Sequence, residues 1–398
     1  MASDPPHSGS TSRDSNGAQR WTGRASVGNS PVASRPAAPP PPPPPPVYPT
    51  AKPGPKPSRG YPRTRPGVRP RWGRILLVGL AVLALVAGAG VLTSYLWFRG
   101  VDDGLNRTDP FAALEGRPQK VVDGTLNILL VGSDSRDPDQ PSVEGGPART
   151  DTIVIMHIPA SHDRAYMVSI PRDTWVYVPE SPDGQNGDTM AKINAAYAWG
   201  GLPLTVETVE RYTGVRMDHV ALIDFNGFIK VTDALGGVDM NIEQSIVSIH
   251  EPYRQFTAGP NHLTGAEALD YCRQRYQFPD GDFARIRHQH EFLKALLDKA
   301  VSRGTVTNLG TFKEFVTSVA SALTVDKDFS LIDLGWQFHS LRSDNLTFVT
   351  NPNLGSDDID GQSVVVSDKQ NASALYDAMA HDTLAGWVAQ HPTATEGG

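Results

Sequence analysis

From Asn127 onward the chain alternates short apolar runs with amphipathic stretches. The runs are NILLV (127–131), TIVIMHI (152–158), AYMVSI (165–170), Val176–Val178, HVALID (219–224), LTFVT (346–350) and SVVV (363–366). Such near-continuous apolar runs, closed by turn residues, predict strands buried on both faces. Between them apolar positions recur at helical spacing over about 191–199, 204–213, 226–235, 282–302, 310–324, 330–341 and 370–380. Asn226 is placed to cap the third of these helices, and Gly236-Gly237 to stop it. Thr264 and Glu267 have the spacing of a capping box, so another helix begins near Gly265. It must be short, because Tyr271–Tyr276 reads better as a strand, which would set Arg273 and Arg275 on one face. Pro279-Asp280-Gly281 supplies a turn. Asp282, which also suits a helix cap, opens a long helix with Ile286, Leu293, Leu296, Leu297 and Ala300 as its apolar stripe. The predicted fold is a single α/β domain over about 124–382, a central mixed sheet flanked by helices. No internal repeat is visible, and 383–398 reads as a loose tail.

The first 123 residues follow a different pattern. Residues 1–74 are rich in Pro, Ser, Gly and Arg, with eight consecutive prolines from Pro39 to Pro46. That composition cannot make a core and predicts a disordered arm with a polyproline II stretch. Ile75–Phe98 is 24 residues without a charge, bracketed by Arg74 and Arg99, with Tyr95 and Trp97 at its far end. This is the length and flanking of a transmembrane helix. A signal peptide would carry a shorter apolar region nearer the start. Lys56, Arg59, Arg63, Arg65, Arg69, Arg71 and Arg74 precede it, so the arm is expected in the cytoplasm and the body outside the cell membrane. Residues 99–123 read as a linker.

Charge sharpens this division. The net charge of −7 hides a basic arm, with 12 Lys/Arg against Asp4 and Asp14, and an acidic remainder, with 24 Lys/Arg against 41 Asp/Glu. Arginines held at a few positions of an acidic body argue for a specific small anion and against nucleic acid. The basic arm suits topology and anionic lipid. Nothing in the chain points to a specific protein partner. Cys272 is the only cysteine, so no intramolecular disulfide forms; it reads as a small core residue, not a nucleophile.

The common nucleotide-binding, zinc-protease and serine-hydrolase motifs are absent. His288 and His290, two apart on a helix, do not share a face for zinc. What the chain carries instead is Asp and Arg at the ends of predicted strands. The first strand runs into Gly132-Ser133-Asp134-Ser135-Arg136, Arg149-Thr150-Asp151 introduces the second, and the third ends in Pro171-Arg172-Asp173. Strand ends are where open α/β sheets place their sites. Arg273 and Arg275 follow later in the chain, and Asp282, Arg285 and Gln289 share a helix face. Arginine binds phosphate oxygens as a planar fork. Carboxylates set among arginines suit a hard cation held between carboxylate and phosphate.

At these residues the chain resembles the LytR-CpsA-Psr family of cell-wall glycopolymer ligases. The resemblance covers about 124–382 and rests on the ordered set NILLVGSDSR (127–136), RTDT (149–152), SIPRD (169–173), KINAAY (192–197), DFNGF (224–228), DALGGV (233–238) and LTGAEALDYCRQRYQFPDGDFARIRHQ (263–289). It implies a long apolar pocket for a polyprenyl tail, a magnesium (or manganese) ion, and a pyrophosphate held by arginines. Residue by residue, it implies Asp134 and Asp151 at the metal and Arg149 and Arg172 on the nearby phosphate. Arg273, Arg275 and Arg285 would hold the pyrophosphate. Asp282 and Gln289 complete the polar set, with Arg136 adjacent.

The implied reaction moves a glycan 1-phosphate from a polyprenyl pyrophosphate to a peptidoglycan hydroxyl, with Asp151 or Asp282 as proton acceptor. The Ala/Pro/Arg-rich composition looks actinobacterial, which favours an arabinogalactan-like polymer, or else a teichoic or capsular one. Two rivals use the same residues: a pyrophosphatase that only hydrolyses the donor, and a non-catalytic lipid-binding regulator of envelope assembly. A groove beside the phosphates large enough for a glycan strand favours the ligase.

Overall fold

The computed structural model describes residues 97, 100–134, 150–337 and 341–394. The expected arm and nearly all of Ile75–Phe98 lie outside the described residues. Among those described, no helix is long and apolar enough to cross a membrane.

The chain enters through β1 (Asn106–Thr108), β2 (Leu126–Ser133), β3 (Thr150–Ile158) and β4 (Ala165–Ser169). The hairpin β5 (Trp175–Val178) and β6 (Thr189–Lys192) leads to α1 (Ala195–Thr213). Next come β7 (His219–Asp224), α2 (Phe225–Ala234) and the short strands β8 (Val238–Ile242), β9 (Ile246–Val247), β10 (Gln255–Phe256) and β11 (Gly259–Leu263). Then follow α3 (Gly265–Cys272), α4 (Asp282–Ala300), α5 (Arg303–Thr307), α6 (Leu309–Ala322), β12 (Leu323–Asp326) and α7 (Leu331–Gln337). The last elements are β13 (Leu346–Thr350), the hairpin β14 (Asn353–Ile359) and β15 (Gln362–Ser367), α8 (Lys369–Ala380) and α9 (Leu384–Gln390).

Seven strands form one mixed sheet in the order β1-β12-β7-β2-β3-β4-β13. Its centre is β2, parallel to β7 and antiparallel to β3. Alternation along β2 explains the two covering layers. Leu129 and Val131 face a cluster with Leu204 and Val206 of α1 and Leu375 and Met379 of α8. Ile128 faces the opposite cluster with Val325 and Ala320 of α6. Each such side chain, fully buried, contributes ~1.5–3 kcal/mol. The expected mixed α/β architecture is therefore present.

Several local expectations are overturned. Tyr271–Tyr276 is not a strand: α3 runs through Cys272 and Arg273 is its C-cap. Buried Gln274 decides this, donating from Nε2 to the Asp270 carbonyl (2.9 Å) and to Ser248 Oγ (2.9 Å). Arg273 and Arg275 are thus presented from a turn. Asp224, not Asn226, caps α2, accepting from Gly227 N at 2.6 Å. Gly281 holds the N-cap position of α4 at φ 54°, which leaves Asp282 as the first helical residue. The stretch expected as a linker contributes β1, and its Val101 and Leu105 are buried. Nor is the described part of 383–398 loose, since α9 buries Leu384 and Trp387. The expected helices 191–199 and 204–213 are present as two segments of α1 separated by a kink of non-helical backbone at Gly200-Gly201, the first starting only at Ala195, whereas β12 takes residues read as the end of a helix.

Candidate active site

The site forms where the C-terminal end of β2 meets the start of β3. Gly132 pairs with Thr152 and Ser133 with Thr150, so Asp151 is the extra residue of a β-bulge. A bulge re-aims a side chain, and here it turns the Asp151 carboxylate off the regular alternation of the strand. The loop after β4 brings Arg172 and Asp173. Asn194 N donates to the Arg172 carbonyl (3.2 Å) and Val365 N to the Asp173 carbonyl (2.9 Å), which fixes their backbone. Helix α4 brings Asp282 and Arg285 on one face. It is tied to β4 through Ser169 Oγ and His290 Nε2, 2.7 Å apart.

These side chains form one charge cluster. Arg172 Nη1 donates to Asp151 Oδ1. Its Nε lies 3.6 Å from Asp173 Oδ2 and 4.0 Å from Asp282 Oδ1. Arg285 Nη2 donates to Asp282 Oδ2 at 2.8 Å, and Arg285 Nη1 is 3.9 Å from Asp151 Oδ1. Arg275 Nη1 lies 3.6 Å from Asp282 Oδ1, and Lys192 Nζ 3.4 Å from Asp173 Oδ1. Asp151, Asp173 and Asp282 thus face Arg172, Arg275, Arg285 and Lys192. Burial pulls the Arg285 guanidinium below its ordinary value; Asp282 opposes this and Arg172 adds to it. For Arg172, burial is outweighed by Asp151, Asp173 and Asp282, which together hold it above the ordinary arginine value. Asp282 Oδ1, Arg172 Nε and Arg285 Nε are buried without a hydrogen-bond partner. The two unpaired arginine donors suit phosphate oxygens, which accept from arginine with charge assistance.

The cluster caps a cavity of about 470 Å³. Asp151, Arg172, Arg273, Arg275, Arg285 and Gln289 line its polar end. Phe228, Leu269, Phe292, Leu293, Leu296 and Leu323 line the remainder, between the sheet and helices α2, α3, α4 and α6. Part of the stripe expected to be core, Leu293 and Leu296, thus faces a cavity. The Arg273 guanidinium sits 4.6 Å from the Phe225 ring centroid, and that of Arg275 lies 4.5 Å from the Tyr276 ring. Cys272 also lines the cavity, and burial pushes its thiol well up, in keeping with an inert residue.

Of the residues expected at the site, Asp151, Arg172, Arg273, Arg275, Arg285 and Gln289 meet at this cavity, and Asp282 joins them through Arg285. Asp134 directly follows Ser133 at the tip of β2. Arg136 and Arg149 lie outside the described residues. Four further residues emerge: Asp173 and Lys192 in the cluster, Gln274 as the buried pin of the arginine turn, and His250 on the cavity wall. Burial, and then Arg273, hold His250 below its usual range. Among the described residues, no group of three His, Cys, Asp or Glu side chains is arranged to hold a metal ion. Asp151 and Asp134 offer carboxylate oxygens, the donor type that a hard cation shares with phosphate.

A model of the LytR_cpsA_psr family matches residues 99–381. The cell wall biosynthesis protein LcpA of Corynebacterium glutamicum is 29% identical over 347 residues, 76% of this chain and 62% of that protein. This chain therefore spans less than two thirds of that relative's length. The polyisoprenyl-teichoic acid–peptidoglycan teichoic acid transferase TagU of Bacillus subtilis is 31% identical over 257 residues, 63% of this chain and 79% of its own. The crystal structure of B. subtilis TagV superposes with a TM-score of 0.55 at 25% identity, covering 66% of this chain and 98% of that one. With the family model extending over nearly the whole described body and a solved relative sharing its fold, the chain belongs to the LytR-CpsA-Psr family.

Proposed function

We propose that the protein transfers a glycan 1-phosphate from a polyprenyl-pyrophosphate carrier to a hydroxyl of peptidoglycan. The observation that carries this reading is the single cavity in which an apolar lining runs into an arginine cluster. A prenyl tail and its pyrophosphate need those two environments in that order. The names of TagU and LcpA, which concern teichoic acid transfer to peptidoglycan and cell wall biosynthesis, support the same class of reaction.

The prenyl chain lies among Leu269, Phe292, Leu293 and Leu296, and its burial holds the donor. Arg172, Arg275 and Arg285 grip the pyrophosphate oxygens, positioning the phosphorus and neutralising charge as it shifts toward the leaving group. The acceptor oxygen bonds to the glycan-bearing phosphorus. The P–O bond to the second phosphate breaks, and polyprenyl phosphate leaves with the electron pair. The acceptor's proton passes to Asp151 or Asp282. Asp151, and Asp134 after the end of β2, are the carboxylates that would hold magnesium or manganese, which would supply further neutralisation at phosphate oxygens. The uncharged segment Ile75–Phe98 and its basic flank support a single-pass anchor that keeps the body outside the membrane.

The test uses the full-length protein in detergent with a synthetic polyprenyl-pyrophosphate sugar, magnesium and a peptidoglycan oligomer, analysed by mass spectrometry. A phosphodiester-linked product is expected, and its loss in Arg172→Ala and Asp151→Ala. Sugar phosphate released without an acceptor adduct would replace this reading with hydrolysis.

A further inference from the structure

A second cavity, of about 490 Å³, opens beside the first. That is within the ~300–1,000 Å³ typical of small-ligand sites. Arg275 and Tyr276 line both spaces, so they share a wall. Charge is divided across that wall. Arg172, Arg273, Arg275 and Arg285 outnumber Asp151 and Asp224 along the first cavity, whereas Asp173 and Asp282 line the second, where Arg275 is the one arginine. Asp280 adds another carboxylate on the second side. A pyrophosphate is attracted to one side and repelled by the other.

The remaining lining of the second cavity suits an uncharged ligand rich in hydroxyls. Tyr276 is 69% exposed, and an aromatic ring at a cavity mouth offers a flat face to the C–H face of a sugar. Ser356 and Ser363, on the β14–β15 hairpin, supply hydroxyls that both donate and accept. The carboxylates accept from sugar hydroxyls. This hairpin is not independent of the reacting centre. Val365 N donates to the Asp173 carbonyl at 2.9 Å, and Val365 forms a bridge with Thr174. The segment that carries Arg172 therefore also carries the hairpin wall.

We propose that the second cavity binds the acceptor strand by its uncharged sugar rings and presents an acceptor hydroxyl to the donor phosphorus at the Asp282 side of the shared wall. This rests on the transferase reading above. Asp282 Oδ2 is held by Arg285 at 2.8 Å, whereas Oδ1 has no hydrogen-bond partner. Arg275 Nη1 at 3.6 Å and Arg172 Nε at 4.0 Å face Oδ1 without hydrogen-bonding it, so this is the oxygen that takes the hydroxyl proton. The new O–P bond forms as the bond to polyprenyl phosphate breaks, and the proton moves from the acceptor oxygen to Asp282. Of the two carboxylates that could serve as base, the one lining the acceptor cavity is assigned.

The experiment compares the full-length protein in detergent with its Ser363→Trp and Ser356→Trp variants, both exposed hairpin positions outside the first cavity. Two affinities are measured by calorimetry: for a β-1,4-linked N-acetylglucosamine oligomer, the uncharged sugar of the peptidoglycan backbone, and for a prenyl-pyrophosphate sugar. The expected result is a loss of glycan affinity of about ten-fold or more in Ser363→Trp, with donor affinity kept within about two-fold. The proposal is overturned if the wild-type protein binds no glycan oligomer, or if neither tryptophan weakens that binding. It is also overturned if donor affinity falls in parallel, since the cavity would then house the donor's own sugar. Glycan binding is read without turnover. A failure of the transferase reading would appear separately, as absence of product from the wild-type protein while the glycan still binds.

Discussion

Arg285 and Asp282, one turn apart on α4 and joined by a 2.8 Å bond, line different cavities: the guanidinium the donor space, the carboxylate its neighbour. The Arg285 side chain is only 5% exposed, so its charge depends on close carboxylates. Asp282→Asn keeps the shape, removes one negative charge, and leaves Asp151 3.9 Å from Arg285. Pyrophosphate should then bind as tightly as before or more tightly, because the cluster becomes more positive. Transfer should fall by about 10²-fold or more, since the acceptor loses its base. Parallel measurements of donor affinity and single-turnover rate check this. Weakened donor binding with an unchanged rate would contradict it.

A bulkier apolar side chain inside the donor cavity should discriminate by tail length. Leu296 lines the space on α4, next to Leu293 and Phe292. Leu296→Trp shortens the apolar run without touching the arginines. Each methylene denied burial costs ~0.8 kcal/mol, so long-chain donors should lose about 10–100-fold in affinity. Donors with a tail of one or two isoprene units should bind as before. Titration of a chain-length series decides it; a uniform loss across the series would mean that the tail lies elsewhere.

The parts of this site that the sequence made legible are those set by local rules. Apolar runs closed by Gly, Ser, Asp or Arg placed Asp151 and Arg172 at strand ends, and the turn at Pro279–Gly281 placed Asp282 and Arg285 on one helix face. The turn bearing Arg273 and Arg275 was not legible. It is held by Gln274 bonding Ser248, 26 residues earlier in the chain, and no local period signals such a contact. Asp173 and Lys192 enter the cluster through the pairing of β5 with β6, which sets Trp175 against Lys192. β12 was misread because its Leu323 and Val325 continue the apolar spacing of α6, and pairing with β7 overrides that preference. α9 looked like tail because one short helix carries too few apolar positions to show a period.

The Gln274 pin gives a positioning prediction. Its Nε2 serves Ser248 Oγ, the Asp270 carbonyl and Asp270 Oδ1 (2.8 Å), while its Oε1 accepts from Gln277 Nε2 at 2.7 Å. Gln274→Leu fills similar volume but removes these hydrogen bonds, each contributing ~0.5–1.5 kcal/mol net. The expected outcome is a lower Tm together with a donor KM raised about ten-fold and a nearly unchanged kcat, because Arg273 and Arg275 bind from a loosened turn. Amide hydrogen exchange over 273–277 should quicken. A fall in Tm with no change in KM would reduce Gln274 to a stabilising role.

Histidines that burial holds below their usual range, His157, His288 and His290 among them, weaken the fold in acid. His157 is buried beside Asn127, and His288 is packed between Tyr271 and Phe278. Burial, opposed by Asp382 and by Glu243 respectively, lowers each from 6.5 to about 4. A folded-state value below the unfolded one means that the unfolded chain binds more protons in this range. The stability is therefore fully present above pH 6.5 and is lost as pH falls from there toward about 4. At about pH 5.5 each histidine should cost on the order of 1 kcal/mol. Both ring nitrogens of His288 lack hydrogen bonds, and Glu243, 3.7 Å from Nε2, is also held by Arg287, so phenylalanine can take its place among the aromatic rings. The His288→Phe protein should match the wild type in Tm near neutral pH and exceed it as the solution is acidified. Equal Tm loss in the two proteins between neutral pH and about pH 5 would show that His288 is not among the groups whose protonation opens the fold.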